Sequence, residues 1–336
     1  DRQGQIVVPF AVESALSGVE QPLLPDQRLW YRRTLNPLEL LGLAALDGRV
    51  LLHFEAVDWQ MQAYINGSLA GEHTGGYLPF TFDITGLLRP GGDNELVVAV
   101  YDPTDSGRQE YGKQTLRPHG IWYTAVSGIW QTVWLEAVPH TSIAGLRLLP
   151  DLDQETLTVE TALRGPVAGV LVEAVVFEDG LQVAAAWGEA GRPLELRLPG
   201  AHPWSPDDPF LYDLRLRLVR DEQVIDEVGS YFAMRKFSTG PDAQGRMRFL
   251  LNNRPLFLYG PLDQGYFPDG LYTPPSEAAM LSDIEYARKI GCNMIRKHIK
   301  VEPRRWYAAC DRLGMIVWQD MPSGGVPVDD ATADAA

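Results

Sequence analysis

Three polar side chains lie at alternate positions near the ends of two short apolar runs. Arg296 and His298 belong to the run CNMIRKHI, and Asp320 closes the run MIVWQD. If both runs are parallel strands of a barrel, alternate side chains point inward, and those near the carboxyl end reach the barrel mouth. Ile295 would then pack outward under the helices. We predict that Arg296, His298 and Asp320 converge and contact a substrate; the alternative is a buried ion-pair network that only stabilises the fold.

Three neighbouring residues are further candidates for the same site. Trp318 shares the predicted face of Asp320, where its ring would stack on the C–H groups of a sugar; the alternative is that it fills the core. Asp263 and Gln264 lie in GPLDQGYFPDGLY, the loop after the predicted first strand. Loops at this end of a barrel hold substrate. Asp263 is therefore predicted as a ligand, with stabilisation of the turn as the alternative.

A third group of candidates lies much earlier in the chain. The polar loop YDPTDSGRQEYGKQTLRPHGIWY carries Asp102, Asp105 and Lys113. These side chains are predicted either to reach toward the barrel mouth or to act as solvated charges and turn caps. Glycoside hydrolysis with retention needs two carboxyl groups about 5–5.5 Å apart. Asp263 and Asp320 lie on the first and third strands, so we predict no catalytic pair among them.

The candidates depend on a strand–helix–strand–helix–strand pattern in the last quarter of the chain. Asn252-Asn253 predicts a turn, after which a return strand would continue into the first parallel strand. The first helix is predicted to begin at Pro275 and Ser276, to bury Met280, Ile284 and Ala287 on one face, and to end at Gly291. The second helix is predicted to have Pro303 in its first turn and to end at Gly314. Because a TIM (β/α)8 barrel has eight such units, residues 239–336 are predicted to be its N-terminal portion. An acidic tail, PSGGVPVDDATADAA, follows the third strand.

The rest of the chain is predicted to be β-structure. Residues 1–139 are interpreted as a jelly roll, with an Asn66-Gly67 hairpin turn. Its predicted strands are Leu29–Leu35, Arg49–Val57, Asn94–Asp102 and Ile129–Glu136. Residues 140–238 are interpreted as an immunoglobulin-like sandwich that acts as a spacer, and its run YDLRLRLV places Leu214, Leu216 and Leu218 on one face. The whole is therefore a mainly β, multidomain chain.

Composition excludes some partners. The formal net charge of −15 argues against nucleic acid and anionic membranes, because both need a basic surface. Cys292 and Cys310 are the only cysteines and lack metal-ligand spacing, so buried reduced thiols are expected. We predict no metal and no cofactor. The compartment is left open, although two thiols are compatible with the cytoplasm. A start without Met, part of the way into a β-domain, and only three predicted barrel strands suggest that the chain is truncated at both ends.

Taken together, the segments resemble glycoside hydrolase family 2, the family of β-galactosidases, β-glucuronidases and β-mannosidases. The resemblance is carried by VDWQMQAYINGSLAGEHTGGYLPFTFDIT, SGIWQTVWLE, HPWSPDDPFLYDLRLRL, LNNRPLFLYGPLDQGYFPDGLYT and NMIRKHIKVEPRRWYAACDRLGMIVWQDMP. It implies a retaining exo-glycosidase whose two catalytic glutamates follow the fourth and seventh barrel strands. The family's acid/base lies in an Asn-Glu pair, and the only such pair here is Asn94-Glu95 in a first-domain strand. Both catalytic positions are therefore expected to be absent.

The resemblance also bears on His298 and on metals. Relatives carry an RxxH-like or RxSH-like element that contacts the terminal sugar, whereas here the form is Arg296-Lys297-His298. Some galactosidase relatives use divalent or sodium ions, which the resemblance alone would allow. The leading hypothesis is a truncated, inactive family 2 glycosidase that binds carbohydrate. The alternatives are a non-catalytic carbohydrate-binding protein and an assembly module, and an open three-stranded barrel would expose apolar edges that favour self-association.

Overall fold

The computed structural model describes residues 4–36 and 48–324. The acidic tail predicted after the third parallel strand lies almost entirely outside these residues. The chain is mainly β-structure in several domains, as expected. The described chain has three parts: an N-terminal β-unit (residues 4–36 and 48–139), a middle β-unit (residues 140–236) and an α/β unit (residues 237–324). None of the helices in the described residues is long and apolar enough to cross a membrane.

The N-terminal β-unit is built on antiparallel sheets, the larger ones ordered β1-β7-β4-β5 and β11-β2-β6. Phe54, Met61, Ile65 and Val98 belong to its buried core. Short 3-10 helices lie at Ala15–Ser17 and Thr85–Leu87. The strands are β1 Leu29–Leu35, β2 Gly48–Phe54, β3 Val57–Asp58, β4 Gln60–Ile65, β5 Ser68–Thr74, β6 Phe80–Asp83, β7 Asn94–Tyr101, β8 Gln114–Thr115, β9 Tyr123–Thr124, β10 Gly128–Ile129 and β11 Val133–Pro139.

The predicted hairpin is confirmed, and two predicted strands are not continuous, because the strand predicted at Arg49–Val57 ends at Phe54 and a separate short strand begins at Val57. Asn66 and Gly67 both have positive φ angles (54° and 83°) and join β4 to β5, as a tight hairpin requires. The strand predicted at Ile129–Glu136 is instead interrupted between β10 and β11. The interruption includes Trp130, whose indole nitrogen donates to the Gly76 carbonyl at 2.8 Å and whose ring lies in a core shared with the α/β unit.

The middle β-unit has two antiparallel sheets, β12-β13-β16 and β15-β14-β17-β18, around one apolar core. Leu214, Leu216 and Leu218 are buried on one face of β17, as their alternation predicted. The strands are β12 Ser142–Asp151, β13 Thr156–Arg164, β14 Leu171–Glu178, β15 Leu181–Glu189, β16 Leu194–Arg197, β17 Tyr212–Arg220 and β18 Gln223–Phe232.

The α/β unit combines an antiparallel sheet, β19-β20-β21, with a parallel sheet, β22-β23-β24. The boundary predicted after Ser238 falls inside β19. Its elements are β19 Phe237–Pro241, β20 Met247–Leu251, β21 Arg254–Pro255, β22 Leu262–Asp263, α1 Glu277–Lys289, β23 Met294–Lys297, α2 Arg304–Leu313 and β24 Ile316–Gln319.

Both predicted helices form where local signals placed them. The Ser276 hydroxyl caps α1 by accepting from the Ala279 N–H at 3.1 Å, and Met280, Ile284 and Ala287 are buried. Gly314 ends α2 with a positive φ angle of 72°. Pro303 precedes α2 at the cap position, one residue earlier than predicted. Cys292 and Cys310 are buried free thiols packed between these helices and β23.

The first parallel strand is shorter than predicted. Asn252 and Asn253 form the expected turn with positive φ angles, but β21 ends at Pro255 and does not continue into β22. The Asn293 side chain instead bonds the Tyr259 N–H and the Phe257 carbonyl, both at 2.9 Å, and so satisfies backbone groups that a strand would pair. Asp263 consequently lies in β22 and not in the loop that follows it.

Three polar contacts hold the middle β-unit against α2, and in one of them the Tyr231 hydroxyl donates to the Asp311 carboxylate at 3.0 Å. The Trp204 indole nitrogen donates to the Asp311 carbonyl at 2.8 Å, and Arg235 forms an ion pair with the Asp311 carboxylate at 2.7 Å. Trp204 is fully buried. Elsewhere in the α/β unit large apolar side chains are exposed, Phe257 and Met321 most of all. Such exposed apolar side chains are what an open edge of the parallel sheet would present. Self-association through them stays a prediction.

Candidate functional site

The carboxyl ends of the three parallel strands bring together two of the predicted residues. The Arg296 guanidinium and the Asp320 carboxylate form an ion pair, with nitrogen–oxygen distances of 2.8 Å and 3.1 Å. The Arg296 side chain is about half exposed. Ile295, in contrast, is buried beneath the helices, as predicted. The pair is therefore a solvent-facing charged group and not part of a buried network.

His298 lies beside this pair and is held by a different partner. Its Nδ1 is 3.1 Å from the Gln264 side-chain nitrogen, and its backbone N–H donates to the Asp263 carbonyl at 2.8 Å. Partial burial lowers the pKa of His298, and the positive charges of Lys113 and Arg296 lower it further, against the opposing effect of Asp320. A neutral imidazole can both donate and accept hydrogen bonds. We define the strand-end site as Gln264, Arg296, His298 and Asp320.

The N-terminal β-unit contributes to the surroundings of the strand-end site. The backbone N–H groups of Tyr111 and Gly112 donate to the Ser323 carbonyl at 3.1 Å and 3.0 Å, so the polar loop packs against the chain after β24. Lys113 lies over the Trp122 ring at 4.7 Å and acts electrostatically on His298. That Lys113 reaches the strand ends stays a prediction, which its electrostatic effect on His298 supports.

Trp318 and Asp105 have more local environments. The Trp318 ring is partly exposed and meets the Phe249 ring edge-on at 5.6 Å between centroids, which leaves part of its surface for stacking. Asp105 accepts hydrogen bonds from the Thr115 hydroxyl and the Leu116 N–H. Asp105 is thus a turn-stabilising residue of its own loop.

A buried charge network that the sequence reading missed lies behind the strand-end site. Lys297 is 1% exposed and pairs with Asp263 and, at 2.8 Å, with Glu302. Lys300 is fully buried and donates to Glu302 at 2.9 Å and to the Gly265 and Tyr272 carbonyls at 2.7 Å and 2.8 Å. The only sequence signal was the presence of two lysines and a glutamate within the run RKHIKVEP.

Burial and the contacts within this network together shift the pKa values of Lys300, Lys297 and Asp263. Burial lowers the pKa of Lys300 to about 8 despite the opposing effect of Glu302. Burial also acts to lower the pKa of Lys297, but Glu302 and Asp263 outweigh it and raise the pKa above its usual value. Lys297 in turn holds the pKa of Asp263 low against burial. Asp263 further accepts from the Gly265 N–H at 2.7 Å, which favours the turn-stabilising interpretation over the ligand one.

Asp102 does not reach the strand ends, so that prediction is wrong. Asp102 is 1% exposed, and its two oxygens accept from the Thr104 N–H and the Ser127 hydroxyl, both at 2.7 Å. Burial raises the pKa of Asp102 to about 6. Nearby Asp58 is also buried, and one of its oxygens has no hydrogen-bond partner among the described residues. Burial, with the charge of Asp102, raises the pKa of Asp58 well above its usual value.

These two carboxyl groups should make stability depend on pH. A raised folded-state pKa means that the native protein keeps a proton that the unfolded chain has lost, so stability falls as pH rises from about 4 through the folded pKa. For Asp102 this contribution is on the order of 2–3 kcal/mol. Asp58→Asn should therefore gain stability relative to the parent between pH 5 and pH 8 in urea unfolding. Asp93→Asn, at an exposed carboxylate, is the control, and equal pH profiles for both variants would contradict the assignment.

An aromatic cluster joins the N-terminal β-unit to the α/β unit. Trp130, Tyr77 and Tyr272 are buried together, with ring centroids 5.2 Å apart for Trp130 and Tyr272 and 6.0 Å for Tyr77 and Trp130. The Lys300 ammonium lies 4.8 Å from the Tyr272 ring. The strand-end site is therefore positioned by both units. Among residues 4–36 and 48–324, no group of three His, Cys, Asp or Glu side chains could hold a metal ion.

Comparisons with known proteins agree with this architecture. The family model described as glycosyl hydrolases family 2, sugar binding domain, matches residues 17–139, and the glycosyl hydrolases family 2 model matches residues 141–235. A β-galactosidase of Thermoanaerobacter pseudethanolicus is 24% identical over 87% of this chain and 39% of its own length. The β-glucuronidase of Rattus norvegicus is 26% identical over 89% of this chain and 48% of its own length.

Solved structures show the same fold. A β-glucuronidase from Ruminococcus gnavus has a TM-score of 0.75 at 20% identity, covering 94% of this chain and 53% of that one. Together, these matches show that the chain belongs to glycoside hydrolase family 2. It spans less than half the length of the two curated relatives named above.

Proposed function

We propose that the described residues from 239 onward, 239–324, form the first part of a TIM barrel and that the complete protein hydrolyses terminal β-glycosides. The carrying observation is the strand-end site, because Arg296, His298 and Asp320 gather where parallel strands end, as in TIM-barrel enzymes. Family membership, and the glycosidase names of the relatives, support the reaction class. A retaining mechanism with two glutamates from later barrel strands is part of the proposal.

In this proposal the chain binds the terminal sugar without cleaving its linkage. Arg296 and His298 would donate hydrogen bonds to sugar hydroxyls, and Trp318 would stack on the ring. Neither aspartate of the parallel strands suits catalysis, because Asp263 is paired with Lys297 and Asp320 with Arg296. The chemistry needs no cofactor, since two carboxyl groups supply the acid, the base and the nucleophile.

The test combines turnover with binding. Purified chain should show no steady hydrolysis of nitrophenyl β-galactoside, β-glucuronide or β-mannoside. Calorimetry should detect weak binding of one of the free sugars, and His298→Ala should weaken it about tenfold, the cost of losing a hydrogen bond to the sugar. Arg192→Ala, in an exposed loop of the middle β-unit, is the control. Two results would contradict the proposal. One is that the chain hydrolyses a substrate and His298→Ala abolishes this hydrolysis; the other is that His298→Ala leaves the sugar affinity unchanged.

A further inference from the structure

A cavity lies between the N-terminal β-unit and the α/β unit, away from the strand-end site. Its volume is about 270 Å³. One wall comes from the segment around Trp130, Gln131 and Trp134, and the other from Pro303, Arg304 and Arg305 at the start of α2. None of the four residues of the strand-end site lines it. The cavity is therefore a separate feature, large enough for one sugar ring.

The α2 end of the cavity is unusually positive. Pro303 offers no side-chain cap, and the first turn of α2 contains no acidic residue. The free N–H groups of a helix start carry partial positive charge, and here Arg304 and Arg305 add two full charges. Neither arginine forms an ion pair or a side-chain hydrogen bond within residues 4–36 and 48–324. In a chain of net charge −15, this end is suited to an anion.

An independent observation points to a ligand in the same cavity. Gln131 is only 5% exposed, and its side-chain amide has no hydrogen-bond partner in the described part of the chain. Its amide atoms are not sealed from solvent, and the residue lines the cavity. The amide of this largely buried residue therefore opens into the cavity, where solvent or a ligand pairs with it. A polar ligand in the cavity would supply the missing donor and acceptor.

The opposite wall has the features of a sugar platform. Trp134 is 40% exposed, stacks on His53 with ring centroids 4.0 Å apart, and donates from its indole nitrogen to the Glu55 carboxylate at 3.1 Å. An indole next to a carboxylate and an amide can contact both the C–H groups and the hydroxyls of a pyranose. Glu55 also lines the cavity, so its charge favours hydroxyls at that end and the anion at the other.

We propose that this cavity is an accessory site for an anionic sugar residue, either a uronic acid or a sulfated sugar. The acidic group would bind Arg304, Arg305 and the first N–H groups of α2, while the ring would lie by Trp134 with its hydroxyls on Gln131 and Glu55. This site goes beyond the proposed function, because it holds sugar away from the strand ends and needs no hydrolysis.

Calorimetric titration of the full chain with four compounds tests the chemistry. D-glucuronate and galactose 6-sulfate are the two anionic sugars, glucose is the neutral sugar, and acetate is the anion without a sugar ring. At least one anionic sugar should bind about tenfold or more tightly than glucose and acetate, because the charge-assisted contacts and the ring contacts are both needed. Whichever anionic sugar binds more tightly shows whether the site prefers a carboxylate or a sulfate. Equal binding of all four compounds, or no saturable binding, overturns the proposal.

Variants locate the binding. Arg305→Ala and Gln131→Glu should each weaken the anionic sugar about tenfold or more, the first by removing a donor and the second by adding repulsion. Arg305 is on the surface, so its variant should fold, and circular dichroism checks this for both. Arg192→Ala, the matched surface control, should leave the affinity unchanged. If His298→Ala abolishes binding while Arg305→Ala does not, the sugar occupies the strand-end site and the accessory site is refuted.

Discussion

Glu302→Ala should lower the free energy of unfolding by about 3–5 kcal/mol, the usual cost of removing one partner of a buried ion pair. The Glu302 carboxylate is the acceptor shared by Lys297 and Lys300, and both ammonium groups are buried. In the variant, Lys297 would still form its ion pair with Asp263, but Lys300 would have only carbonyl oxygens as hydrogen-bond acceptors. Urea unfolding followed by circular dichroism measures the loss.

Glu285→Ala is the control for this change. Glu285 lies on the exposed face of α1, so removing its carboxylate should alter stability by no more than about 0.5 kcal/mol. The structural assignment fails if the two variants unfold at the same urea concentration. Because His298 follows Lys297 directly, Glu302→Ala should also disturb sugar binding at the strand ends.

Trp130→Ala should cost about 3–5 kcal/mol and loosen the N-terminal β-unit from the α/β unit. The ring is buried between Tyr77 and Tyr272, and its nitrogen bonds the Gly76 carbonyl. Truncation would leave a cavity at the contact between the units and an unpaired carbonyl. We expect unfolding in two separate transitions, with faster proteolytic cleavage between the units.

The matched control for Trp130→Ala is Trp187→Ala. Trp187 is 54% exposed on the edge strand β15, so its loss should leave a single transition near that of the parent. A Trp130→Ala protein that still unfolds in one step with unchanged stability would show that the aromatic cluster does not join the units.

Features encoded by neighbouring residues were predictable from sequence. The Ser276 cap and the buried face of α1 follow from local spacing, and the approach of Arg296 to Asp320 follows from the two-residue period of strands. The Asn66-Gly67 turn is equally local. In each case a single element, or two parallel strands in register, determines the geometry.

Features that depend on distant partners were not predictable. Asp102 lies in a run of polar residues typical of an exposed loop, yet Ser127 folds back to cover it. Lys300 is tolerated in the interior only because Glu302 and two carbonyls from the segment Gly265–Tyr272 meet its ammonium group. The short β22 likewise reflects the Asn293 side chain, which competes for backbone groups of an earlier segment.

The aromatic cluster has a consequence for how the protein is made. Tyr77 and Trp130 leave the ribosome long before Tyr272, the third ring that covers them. During this interval the nascent N-terminal β-unit presents an uncovered aromatic patch to solvent or to chaperones, and such transient surfaces promote aggregation. Slow translation of the segment between the two units should therefore reduce the soluble yield, and co-expressed chaperones should restore it.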